Sequence, residues 1–228
     1  MIVAALQGAL RSAHDLLMDL TGQPVRRPSA DRQYLEHEVL PALARRADVR
    51  CVLFVGCARY TRHYEAMFTN AEYWTMDPDP RRQRWGARRH ILDRLERLGR
   101  HRPEASFDLI VCNGVLGWGL NERDAAEAAF AACHAALRPG GTLIVGWNDI
   151  RPHNAVRPDS LRSLRRFHRA PVGAGRAPQV RIGVPHRHVF DFYRKPGDTE
   201  GHGASVVGAS GADAHEDSGR HAPSTHNS

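Results

Sequence analysis

Lysine is nearly absent from this 228-residue chain: Lys195 stands alone, and arginine carries almost all the positive charge. The formal net charge of +7 would by itself suggest a polyanionic partner. The arginines are scattered, however, and no aromatic residues alternate with them as a stacking platform for single strands requires. With abundant Ala, Gly and Pro alongside, so one-sided a choice of cation reads as coding bias, and nucleic acid is not expected as a partner. Long apolar runs are missing too, since none reaches the roughly 18 residues of a membrane-spanning helix. The opening Met1-Ile2-Val3-Ala4-Ala5-Leu6 has no basic leader and is soon interrupted by Gln7, Arg11 and Asp15, so no signal peptide is expected. A cytoplasmic protein without a membrane partner is the expectation.

Cysteine is scarce. Cys51, Cys57, Cys112 and Cys133 form no C-x-x-C pair and lie far apart or in apolar runs, which suits buried thiols better than a disulfide or a zinc site. His186 and His188 alternate, but further ligands are lacking and no metal is expected. No Ser-His-Asp order, phosphate-loop Gly-Lys-Ser/Thr or His-Glu-x-x-His occurs. Those absences exclude the commoner hydrolytic chemistries.

What is present is ordinary for a globular protein: 42% hydrophobic and 25% charged residues, in a length suited to one sizeable domain plus tails. Residues 3–20 place Val3, Leu6, Leu10 and Leu17 at helical spacing, giving an N-terminal helix within 1–29. Ser29 or Asp31 caps a second helix running to about Arg46, with Tyr34, Leu35, Val39, Leu40 and Leu43 inward and Pro41 bending or offsetting it. The period then changes. Cys51-Val52-Leu53-Phe54-Val55, closed by Gly56, has the continuous apolar character of a strand buried on both faces. A helix-like stretch over 62–69 follows. Further strands are expected at Tyr73–Met76, His90–Leu92, Phe107–Cys112 and Thr142–Trp147, with a helix over Asp124–Leu137 stopped by Arg138-Pro139-Gly140-Gly141.

This alternation specifies an α/β fold: a Rossmann-like, mostly parallel sheet with helices on both faces and right-handed crossovers. A helix is possible near Leu161–His168, and Val180–Val184 with His188–Tyr193 make a C-terminal antiparallel hairpin. The domain spans 30–196. Residues 197–228 have almost no large apolar side chains and are expected to be a disordered tail.

In such a sheet, ligands bind beyond the carboxyl ends of the strands. Gly56-Cys57-Ala58 offers a small-residue turn and free N–H groups at the start of a helix. Asp77 follows Gly56 at about the spacing of an acidic residue that accepts from ribose hydroxyls, or else caps the Pro78-Asp79-Pro80 turn. Asp93 either accepts from an exocyclic amine or caps a turn through Leu95 to Leu98. Asn113-Gly114 adds an amide and a permissive backbone. Trp118, among three glycines and close to Asn121, either lays its ring over a ligand or covers the next helix. Arg81, Arg82 and Arg84 line a turn open to solvent or to an acidic substrate. Trp118, Asn121 and Trp147 are the candidate acceptor-site residues.

The ordered set Val52-Leu53-Phe54-Val55-Gly56-Cys57, Met76-Asp77-Pro78, His90-Ile91-Leu92-Asp93, Phe107-Asp108-Leu109-Ile110-Val111-Cys112-Asn113 and Leu137-Arg138-Pro139-Gly140-Gly141 resembles the class I S-adenosylmethionine-dependent methyltransferases over roughly 100 residues. The resemblance implies S-adenosylmethionine as cofactor and methyl transfer to a small-molecule hydroxyl, amine or carboxylate. It places Gly56, Cys57 and Ala58 beside the methionine moiety, Asp77 on the ribose and Pro78 on the adenine. Asp93 would meet the adenine amino group and Asn113 the sulfonium end. Phe54 stands where the family has an acidic residue, and Ala58 and Tyr60 stand at its glycines. Those departures leave a non-catalytic scaffold as the alternative. A nicotinamide-dependent oxidoreductase is a weaker one, since Thr61 occupies the third glycine position of the dinucleotide turn and no Tyr-x-x-x-Lys pair occurs. No residue is singled out as catalytic: a sulfonium is already an activated donor, so positioning can supply most of the acceleration.

Overall fold

The computed structural model describes residues 29–150, 154–173, 177–183 and 187–197. The expected helix over 3–20 and the expected tail beyond 197 lie outside them. The first helix, α1, starts after Ser29 and runs through three contiguous segments, Ala30–Tyr34, Leu35–Val39 and Leu40–Ala44. Its middle segment is wound more widely, with the Leu40 N–H donating to the Leu35 carbonyl. Pro41 explains the widening. Proline lacks an N–H and its ring collides with the carbonyl four residues back in a regular helix, and one wide turn relieves that conflict. Leu35, Val39, Leu40 and Leu43 are buried as the inner face.

Among the described residues, eight strands form one sheet: β1 (Cys51–Val55), β2 (Glu72–Met76), β3 (Arg89–Ile91), β4 (Phe107–Asn113), β5 (Leu137–Asn148), β6 (His168–Arg169), β7 (Gln179–Ile182) and β8 (His188–Arg194). The order is β3-β2-β1-β4-β5-β8-β6, with β7 also on β8. β1 to β5 are parallel, while β8 is antiparallel to β5, β6 and β7. The strand order reverses between β1 and β4, which puts a crevice beyond their carboxyl ends.

Alternate residues build two cores, as the period of two requires. Val52, Phe54, Leu109, Val111 and Ile144 pack toward α1. Leu53, Val55, Ile110, Cys112, Leu143 and Val145 pack on the other face, with Ala126, Ala129, Phe130 and Cys133 of the helix α2 (Arg123–Ala136). Asp108 stitches strand ends together: it accepts from the Arg50 and Cys51 N–H groups at 2.6 and 2.8 Å and pairs with Arg138. All four cysteines are free thiols, three of them buried.

Three local expectations differ from the structure. The stretch expected as a helix over 62–69 is a tighter three-residue-per-turn helix, Arg59–Met67. β5 starts at Leu137 directly after α2, and the Arg138-Pro139-Gly140-Gly141 run forms a bulge between the Phe107–Leu137 and Leu109–Thr142 pairs. The possible helix near Leu161–His168 is replaced by two short turns, Pro158–Ser160 and Leu164–Arg166, and the edge strand β6. Buried Leu161, Leu164 and Phe167 are satisfied by tacking that segment down, without a full helix.

Candidate active site

Beyond β1 the backbone turns at Gly56, whose φ of +89° is strained for any residue with a Cβ. The Gly56 N–H donates to the Met76 carbonyl at 2.9 Å, so the turn is tied to the tip of β2. The next N–H, of Cys57, donates to Asp77 Oδ2 at 2.7 Å, and the Asp79 N–H donates to Oδ1 at 2.9 Å. Asp77 is buried. It therefore does two things: it braces the turn after β1 and keeps carboxylate lone pairs at the crevice. Arg82 Nη1 lies 3.8 Å from Asp77 Oδ2 and donates to the Cys57 carbonyl at 3.3 Å.

The N–H groups expected to be free after Gly56 are already used. Cys57 gives its own to Asp77, and the Ala58 N–H donates to Thr61 Oγ1 at 3.0 Å, whose hydroxyl donates back to the Ala58 carbonyl. The Cys57 thiol is pushed up to about 12, first by burial and then by the Asp77 carboxylate. It is no thiolate nucleophile.

At the tip of β3, Asp93 accepts from the Arg94 N–H and lies 2.8 Å from His101 Nε2, with Arg97 at 3.5 Å. The His101 hydrogen bond, then that of Arg94, holds its carboxyl below the usual range. Asp77, Pro78, Asp93, Gly114, Val115 and Trp118 line a common cavity of about 280 Å³. This lies just below the usual range of ligand pockets, about 300–1,000 Å³. Cys57, Ala58 and Asn113 do not line it.

Trp118 sits at the cavity mouth, 65% exposed. Its loop is pinned by buried Leu116 and Leu120, and the Trp118 and Leu120 N–H groups both donate to the Val115 carbonyl at 3.1 Å. Asn121 accepts from the Gly119 N–H at 3.4 Å and closes the same loop. Trp147 is elsewhere: it is buried in the sheet, and its indole N–H donates to Asp191 at 2.8 Å. Asn113, also buried, faces the α1 side of the sheet near His188.

α1 brings a further group to this end of the sheet that sequence patterns barely signal. Arg32 donates to the Tyr60 hydroxyl at 2.8 Å and to that of Tyr64 at 3.3 Å, and Tyr64 donates to Glu36 at 2.8 Å. Phe54 packs edge-on against the Tyr64 ring, with centroids 5.3 Å apart. The apolar residue at position 54 was the one available signal, since its ring demands a neighbour where a carboxylate would demand a cation. Among the described residues no group of three or more His, Cys, Asp or Glu side chains is placed to hold a metal, and no helix is long and apolar enough to cross a membrane.

Residues 53–145 match the family described as "Methyltransferase domain". Residues 53–145 thus resemble a methyltransferase domain. A search of curated proteins returns no match. Among solved structures, this chain is similar to the N-methyltransferase NodS from Bradyrhizobium japonicum WM9 in complex with S-adenosylhomocysteine. The identity is 17%, the TM-score 0.56, and the match covers 74% of this chain and 89% of that one. A TehB-like S-adenosylmethionine-dependent methyltransferase from Corynebacterium glutamicum is 18% identical with a TM-score of 0.51, covering 84% and 99% of the two chains. At these identities the likeness is one of fold: a Rossmann-like sheet of the class I methyltransferase type. S-adenosylmethionine is the cofactor that goes with this type of domain. Tyr60, where the resemblance implies a glycine, is drawn toward Arg32 and is not among the residues lining the cavity.

Proposed function

We propose that the methyltransferase domain transfers the methyl group of S-adenosylmethionine to a small-molecule acceptor. The observation that carries this reading is the opening of Asp77 and Asp93, from adjacent strand tips, onto one cavity floored by Gly56. Asp77 accepts from the ribose hydroxyls with lone pairs left over from its two backbone bonds. Pro78 packs on the adenine, and Asp93 accepts from the adenine amine. Gly56, Cys57 and Ala58 form the turn along which the rest of the cofactor runs, and Asn113 stands toward its reactive end. Trp118 and Asn121, on one loop, form a wall of the acceptor site. When bound, the cofactor supplies a methyl on a sulfonium that needs no further activation. The protein's part is to exclude water and hold the nucleophile in line, which alone can contribute about 7–11 kcal/mol.

A second reading, a methyltransferase-like scaffold without catalysis, draws support from the internal use of the Cys57 and Ala58 N–H groups. Incubation with methyl-labelled S-adenosylmethionine and a panel of small hydroxyl, amine and carboxylate compounds separates the two. Label in a small product that disappears with Asp77→Ala is expected. Binding of the cofactor with no transfer to any class, or no binding at all, favours the scaffold.

A further inference from the structure

A cavity of about 1000 Å³ opens at the other end of β1, with Arg45, Arg46, Val49, Arg50, Met67 and Asn70 in its lining. Val49 and Arg50 precede β1, whereas Val55 and Gly56 line the crevice at its far end. At the rise of an extended strand, the residues of β1 hold the two openings roughly 15 Å apart. What binds here is therefore separate from the cofactor and its acceptor.

Arginine crowds this end of the sheet, and three carboxylates beside it are engaged elsewhere. Asp48 accepts from both arms of Arg46, at 2.9 and 2.6 Å, and has Arg138 at 3.5 Å. Asp108 accepts from the Arg50 and Cys51 N–H groups and pairs with Arg138. The Glu72 N–H donates to the Arg50 carbonyl, but its carboxylate accepts from Arg89 at 2.9 Å and from the Trp74 indole at 3.0 Å. The exposed side chains of Arg45 and Arg50 form no hydrogen bond or ion pair among the described residues. Arg45 closes the last turn of α1, where a cation complements the helix carbonyls. Arg50 stands at the foot of a strand and has no such reason to be charged.

The lining says what fits. A guanidinium is a planar fork of donors that matches the oxygens of a phosphate or carboxylate. Two of them, unopposed in one cavity, select an anion of more than one charge. Thr69 and Asn70 add a hydroxyl and an amide, while Pro41, Val49 and Met67 are apolar. The volume stands at the upper end of ligand pockets, with room for an organic body behind the anionic group. We propose that this cavity is a second ligand site, for a small organic phosphate held by Arg45 and Arg50.

The test titrates the full chain with inorganic pyrophosphate and with citrate by calorimetry, at one fixed ionic strength. Pyrophosphate is expected to bind with a submillimolar dissociation constant, and citrate more weakly. Arg45→Ala and Arg50→Ala each weaken pyrophosphate about tenfold, as the loss of one charge-assisted contact implies. Both side chains are exposed, so neither change empties the core. Arg165→Ala removes an exposed arginine outside the cavity and leaves the affinity as it was. Silence toward pyrophosphate at millimolar concentration overturns the site, as does unchanged affinity in Arg50→Ala. Equal weakening by Arg165→Ala reports only the net charge of the chain and overturns it too. Citrate bound as tightly as pyrophosphate overturns phosphate as the anionic group. Displacement of pyrophosphate by S-adenosylhomocysteine overturns the separateness of the two sites.

Discussion

The Arg32 guanidinium lies 4.1 Å above the ring of Tyr60 and donates to its hydroxyl at 2.8 Å. One cation thus fixes both the plane and the tip of a side chain that stands where the resemblance implies a glycine. Left alone, a tyrosine at the end of that turn has the reach to fold over the crevice. Arg32, itself buried, draws it toward α1.

Removing that hold has a measurable cost. Arg32→Ala loses a desolvated cation–π contact and two charge-assisted bonds, and is expected to destabilise the domain by about 3 kcal/mol. Tyr60→Phe loses the hydroxyl bond alone, about 1 kcal/mol. Urea unfolding of both variants checks the difference. Equal small costs would mean that the pair does not hold the ring.

Asp77 braces two backbone N–H groups, and its replacements should grade accordingly. Asp77→Ala orphans both donors and is expected to cost about 3 kcal/mol. Asp77→Asn keeps one acceptor oxygen and sets an N–H₂ against the other donor, so about half that cost remains. Denaturant midpoints of the two variants measure the grading, and indistinguishable midpoints would refute the bracing role.

Trp118 separates binding from stability. As a largely exposed ring on a loop anchored by its neighbours, its change to Ala should alter unfolding by less than about 0.5 kcal/mol. Loss of a stacking face should still weaken S-adenosylhomocysteine about tenfold. The ligand-induced change in tryptophan fluorescence should vanish in Trp118→Phe. Persistence of the full fluorescence change would place the ligand elsewhere.

Acid sensitivity has a defined source on α2. Burial first, then the neighbouring Arg166 and Lys195 charges, hold His134 down at about 4, with its ring edge-on to Phe167 at 4.9 Å. In the unfolded chain the same ring takes a proton near 6.5. Between those values the unfolded state binds more protons, so stability rises with pH: the contribution is complete above about 6.5 and is lost as pH falls toward 4. His90, lowered chiefly by burial, acts in the same direction. His134→Gln should flatten the change in unfolding midpoint between pH 7.5 and pH 5. An unaltered slope would assign the acid sensitivity to other groups.

The sheet was legible because its strands are buried on both faces. Cys51–Val55 and Phe107–Asn113 are continuous apolar runs, and position 56 ends the first with a glycine that its φ requires. α2 was legible from its alanines and the spacing of Phe130 and Cys133. The shared cavity of Asp77 and Asp93 followed from their places at strand tips, since parallel strands carry their last residues to one edge. How each carboxylate is occupied did not follow. The partners of Asp93 and Asp77, His101 and the Cys57 N–H, depend on backbone paths that no short-range pattern encodes. The same holds for Arg32 with Tyr60 and for His188 with Asn113, pairs 28 and 75 positions apart. Trp147 carried an indole that suited a ligand as well as a core, and only the position of Asp191 on β8 gives it a buried partner.

Isothermal titration of the full chain with S-adenosylhomocysteine probes the crevice directly, with Asp77→Ala and Asp93→Ala in parallel. Micromolar affinity, abolished by the first substitution and weakened by the second, is expected. A folded chain that releases no heat at millimolar ligand, or binds equally well without Asp77, would contradict a nucleoside site between these two carboxylates.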